Sequence, residues 1–200
     1  VLVLVDGAQS FGAIPVNVKE LGVDFYAVTS QKWLCGPEGA GALYASRAAV
    51  SQVQITFAGY NTAQAYDMYA GLLPKGNAQK FEQGTLQPAT LAGHLAALRW
   101  LTDEVGADWA YSRIRSLAAA ARALLAAVPG VTVLTPAEPA GLVSFQVEAN
   151  ADAVLKALTG QKILIRTVPH PRSLRLSTGF YNTEEELEQL AAALRPLAHA

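Results

Sequence analysis

What the chain has little of narrows its class first. Its 200 residues include one cysteine, so no internal disulfide can form, and a bridge-stapled secreted fold is left without support; the composition fits a reducing, cytoplasmic setting. Charge is sparse and balanced, with 15 Lys and Arg against 16 Asp and Glu. No basic run could neutralise a row of phosphates, which argues against a nucleic-acid partner. Long apolar runs are also missing. The opening Val1–Val5 is cut by Asp6, far short of a membrane span and without the basic flank of a signal peptide. The histidines have no cysteines or clustered carboxylates beside them, so no metal site is expected.

What is present is apolar material, 52% of the residues, enough for a buried core. VLVLV reads as a fully buried parallel strand, which needs neighbours on both sides. That raises the expectation of a missing N-terminal half. A turn at DGAQ, an extended stretch to Gly22 and the apolar run DFYAVTS then give strand, crossover and strand, and GAGALYAS adds a third short strand. The texture changes near Pro88. TLAGHLAALRWLTDEVG and DWAYSRIRSLAAAARALLAAV carry helical spacing, with Gly106 between them and Pro129-Gly130 as a stop. VTVL, GLVSFQV, ADAVLKALTG, KILIRTV, SLRLSTG and a final helix follow, the last capped by Thr183 and opened by Glu184, Glu185 and Glu186, which suit the helix dipole. The fold class expected is α/β. Residues 1–87 would complete a mostly parallel sheet of a larger domain, and 88–200 would form a small α+β domain headed by two long helices.

Asp6 falls at the carboxyl end of the first strand, and Ser30 to Lys32 fall just past the carboxyl end of the second. Ligands sit at that edge of an open parallel sheet. A lysine held there among apolar neighbours can have its amine freed to attack an aldehyde. An acid there can keep a heteroaromatic nitrogen protonated. Residue types alone leave Asp6 equally a turn former and Lys32 a solvated charge. A dinucleotide turn is set aside, because DGAQSFGA is not G-x-G-x-x-G and an acid at the turn would repel a pyrophosphate.

The stretch VDGAQSFGAIPVNVKELGVDFYAVTSQKWLCGPEGAGALY resembles the cofactor segment of class V aminotransferases, a family that includes cysteine desulfurases, cystine lyases and isopenicillin epimerase-like proteins. The resemblance implies pyridoxal 5'-phosphate (PLP) as cofactor, with Lys32 as its Schiff-base lysine and Asp6 on the pyridine nitrogen. It places Gln9 on the ring hydroxyl, and Ser30 and Gln31 on the phosphate. Gln31 departs from the histidine common in desulfurases; an amide donates to phosphate but moves no proton. KFEQGTLQPATLAG resembles the family's F-E-x-G-T stretch, so Thr85 is implied to reach the phosphate of the other subunit of a homodimer. KILIRTVPHPRSLRLSTGFYNTEEEL resembles its C-terminal segment, where Arg175, with Arg166 as a second arginine, would hold the substrate carboxylate through a planar fork. Arg166 also reads as a strand-end surface charge.

A desulfurase needs a thiol between those arginines, and TVPHPRSL has none. Cys35, three residues after Lys32, reads as a small buried apolar residue. His94 reads as structural, and His170 as a loop residue near the arginines. The expected function is therefore a PLP enzyme acting on an amino acid, an aminotransferase or a cysteine or cystine C–S lyase. The alternative is a non-catalytic fragment serving as a dimerisation or assembly module.

Overall fold

The computed structural model describes residues 1–199. Two compact units meet at Gly106, the first being Val1–Gly106 and the second starting at Ala107. The boundary expected from the sequence texture lies between residues 87 and 88. The difference is helix α3 (Pro88–Arg99), which packs in the first unit. There a Cβ at Gly93 would lie 3.1 Å from Pro37 Cγ, and His94 bonds Ser30.

In the first unit β1 (Leu4–Asp6) and β2 (Phe25–Thr29) run parallel, with Leu4 opposite Phe25 and Asp6 opposite Ala27. Their link is not wholly extended as expected, since it contains α1 (Val18–Leu21). Asn17 caps this helix by accepting from the Lys19 and Glu20 N–H groups, and Gly22 ends it at φ 64, a left-handed conformation open to glycine. β3 (Gly41–Ala45) pairs antiparallel with β2. The three strands, in order β1-β2-β3, thus hold one parallel and one antiparallel pair. The loop over residues 30–40 supplies no crossover helix, so the chain can only return in the opposite direction. β1 is an edge strand, and Leu4 is 64% exposed where full burial was expected.

Two further pieces of this unit had no sequence signal. Lys80, in a 3-10 turn at Ala78–Phe81, is buried, and its Nζ donates to the carbonyls of Val50 and, at 2.6 Å, Val53. It thereby caps the open C-terminal carbonyls of α2 (Arg47–Gln52). β4 (Ala63–Asp67) and β5 (Gly71–Pro74) form a hairpin that displays Tyr66, Met68 and Tyr69 to solvent. α3 then runs into a π-helical turn, Trp100–Val105.

The second unit is an antiparallel sheet with helices packed on it. Its elements are α4 (Ala107–Ala126), β6 (Val131–Val133), β7 (Leu142–Val147), α5 (Ala151–Gly160), β8 (Arg166–Val168), β9 (Ser173–Ser177) and α6 (Glu184–Leu194). The strand order is β6-β7-β9-β8. Leu117, Ala121 and Leu125 recur every fourth residue on α4, and Val143, Phe145, Leu174 and Leu176 alternate on the strands. These two periods put all of them in one buried cluster with Leu158, Leu187, Leu190 and Leu194. Each such Leu or Phe contributes about 1.5–3 kcal/mol by leaving water. The cap read at Thr183 is a full capping box with Glu186. Among the described residues no helix is long and apolar enough to cross a membrane.

Candidate functional site

Because β1 and β2 are parallel, the Asp6 turn and the loop after Thr29 leave the sheet at the same edge. A side-chain bond joins them: Trp33 Nε1 donates to Gln9 Oε1 at 3.0 Å. Asp6 is exposed, and its Oδ1 accepts the Ala8 N–H at 3.0 Å, so it closes its own turn while Oδ2 stays available. Gln9, with its oxygen bonded to Trp33, keeps its amide NH₂ as a donor. Lys32 is exposed instead of enclosed, since Trp33 and Leu34 take the inward places of the loop.

Ser30 is placed differently from the expected phosphate contact. It is fully buried, and its Oγ lies 2.7 Å from His94 Nδ1. Strand alternation turns the neighbouring positions the other way, and there the Thr29 hydroxyl donates to the Gln31 side-chain oxygen. Thr29 is thus a polar group beside Gln31 and Lys32 that the motif alone did not point to. Two adjacent hydroxyl residues give no sequence signal for which one faces inward. Cys35 is exposed, contrary to the buried role expected, because the loop turns there through a left-handed φ of 55. Partial desolvation of its sulfur pushes the thiol up, which keeps it protonated and a poor nucleophile. Thr85 is exposed, on a loop held from behind by Asn61 Nδ2 donating to the Gly84 carbonyl and Thr62 Oγ1 to that of Glu82.

The two arginines lie in the second unit and face each other across β8 and β9, in register. With Leu164, Ile165 and Ser177 they line an open cavity of about 200 Å³. Arg166 is exposed and Arg175 half-buried. Arg175 Nε is buried and has no hydrogen-bond partner among the described residues. A buried guanidinium nitrogen left without an acceptor is costly. Arg172 pairs instead with Asp152 on the surface.

Known proteins resemble this chain in sequence and in fold. The family model described as aminotransferase class-V matches residues 1–190. The probable cysteine desulfurase 1 of Mycobacterium leprae (strain TN) is 32% identical over 209 residues, covering 98% of this chain and 34% of that protein; the cysteine desulfurase of Yersinia pestis (strain Pestoides F) is 32% identical over 206 residues, covering 97% and 50%. The solved complex of the cystine C-S lyase C-DES with its reaction product cysteine persulfide superposes with a TM-score of 0.87 at 33% identity, covering 97% of this chain and 52% of that one. A C-DES variant with glycine covalently linked to its PLP cofactor has a TM-score of 0.86 at 34% identity. The chain spans about half the length of these relatives, or less.

Proposed function

The chain belongs to the class V aminotransferase family, and on that premise we propose that it is the lysine-bearing part of a PLP enzyme that breaks the carbon–sulfur bond of cysteine or cystine. The observation that carries this reading is the Gln9–Trp33 bond, which ties the Asp6 turn to the Lys32 loop at one edge of the sheet. An acid, an amide donor and a free amine on two tied segments fit the cofactor's ring nitrogen, ring oxygen and aldehyde.

When bound, PLP supplies a ring that draws off the electrons released at the substrate's α-carbon. The protein's own groups do the rest. Asp6 would keep the ring nitrogen protonated. Gln9 would donate to the ring oxygen, and Gln31, its side-chain oxygen held by the Thr29 hydroxyl, would donate its amide N–H to the phosphate. Lys32 would hold the cofactor and, once displaced by substrate, carry the proton removed from the α-carbon. Arg175 and Arg166, which line one cavity, would hold the amino acid's carboxylate through their guanidinium forks. No thiol stands in TVPHPRSL, so the sulfur would depart with the leaving group and not be taken up by the enzyme. The exposed Thr85 and the exposed side chains of β1 fit a homodimer in which further chain covers that edge, and the activity is proposed for that assembly.

The test is to add PLP to the purified chain, alone and with any N-terminal partner, and record the visible spectrum. A band that Lys32→Ala abolishes is expected. Pyruvate release from cystine then supports the lyase, whereas keto-acid exchange between amino acids would move the reaction to transamination. The second reading, an assembly module without catalysis, is favoured by the solvent-facing Tyr66, Met68 and Tyr69. It takes over if no assembly yields the band.

A further inference from the structure

We infer that the Ser30–His94 hydrogen bond is a tether that positions the loop carrying Gln31 and Lys32, which makes His94 a positioning residue. The inference rests on reading Lys32 as the cofactor lysine.

Ser30 is the neck of that loop. Its N–H donates to the Ala40 carbonyl at 3.0 Å, and its own carbonyl accepts the Gly36 N–H at 2.9 Å, so the chain enters and leaves through one residue. Its side chain is wholly buried and bonded at 2.7 Å to His94 Nδ1 on α3. The same helix presses on the loop elsewhere. A Cβ at Gly36 would overlap the Ser30 hydroxyl and sit 3.4 Å from Ala97 Cβ, and one at Gly93 would sit 3.1 Å from Pro37. The backbone at Lys32 is therefore fixed from both sides, by Ser30 two residues before it and by Trp33, bonded to Gln9, one residue after. Without His94 a buried hydroxyl loses its partner and the neck is left to its backbone bonds. Among the described residues Lys32 makes no hydrogen bond to Ser30 or His94, so the effect on it is one of placement.

The experiment uses the full chain with Ser30→Ala, His94→Ala and His94→Asn, the last offering an amide near the Nδ1 position. Hydrogen exchange is followed by mass spectrometry on peptides covering residues 30–40, with β3 as the reference for general loosening. The pH midpoint of the visible band formed with PLP is titrated in parallel. Loop exchange in Ser30→Ala and His94→Ala should rise relative to β3 by roughly two- to tenfold, the factor one lost hydrogen bond represents. The band midpoint should move, and His94→Asn should restore both. Loop exchange that rises no more than that of β3, or a midpoint unchanged in both alanine variants, would overturn the tether. A wild-type chain that forms no band would sink the reading of Lys32 instead, and exchange alone would then decide the tether. If His94→Ala does not fold, Ser30→Ala carries the same comparison.

Discussion

The two units expose large apolar side chains unequally: among the described residues the second has Trp109, Leu164 and Tyr181 more than half exposed, the first many more. The second closes on itself: Ile114, Leu117, Leu125, Phe145, Leu158, Leu174 and Leu194 are all essentially inaccessible. The first, of similar length, leaves Leu4, Phe57, Tyr60, Tyr66, Met68, Tyr69 and Leu73 more than half exposed, and α3 buries no residue fully. One unit holds a finished core, while the other carries the residues proposed for the cofactor beside surfaces that further chain or a second copy could cover. Exposed patches of that kind mark contact surfaces. The chemistry sits on the less self-sufficient unit, at a sheet edge whose outer strand has a neighbour on one side only.

Substitutions in the two units should therefore differ in what they cost. The largest loss is expected from Phe145→Ala, about 3–5 kcal/mol in urea denaturation of the second unit; a loss below about 1 kcal/mol would mean its core is not as closed as its burial implies. Lys80→Ala should follow in the first unit at roughly 1–3 kcal/mol, because the Val50 and Val53 carbonyls lose their donor. Acid should then affect the second unit through Glu184, whose carboxyl Arg113 holds at about 2 against an ordinary 4.5. A depressed carboxyl stabilises above its unfolded value and stops doing so as pH falls through the folded one. The contribution is thus intact at neutral pH and fades between about pH 4.5 and 2, and thermal melts of Glu184→Gln across that range should lack this slope. The smallest effect on stability is expected from Leu4→Ser, under about 0.5 kcal/mol for an exposed edge residue. Light scattering should nevertheless show less self-association, and a large destabilisation would remove β1 from the open surface.

Legibility in the sequence followed the same divide. In the second unit strand alternation, helical spacing and the Thr183 cap are local signals, and local geometry obeyed them. In the first unit the Asp6 and Lys32 segments were readable from a long motif. The side of the strand end to which Ser30 or Thr29 turns depends on α3, which lies some sixty residues further along, and on whether His94 reaches back. Lys80 gave no warning, since a lysine is ordinarily solvated and here the carbonyls that bury it come from a different helix. The direction of β3 was not legible, and the tightly closed 30–40 loop, which holds no crossover helix, is what makes it antiparallel. Asn17 and Gly22 did carry the signal for α1, a capping asparagine and a terminating glycine, in a stretch that otherwise looked extended.

The central claim, that Lys32 is the residue through which this chain holds PLP, is tested most directly by trapping. The chain, with any partner needed to complete it, is incubated with PLP and reduced with borohydride, and the modified lysine is located by peptide mass spectrometry. One phosphopyridoxylated site is expected, Lys32, lost in Lys32→Ala. Label spread evenly over exposed lysines such as Lys19, Lys156 and Lys162, and unchanged by that substitution, would contradict it.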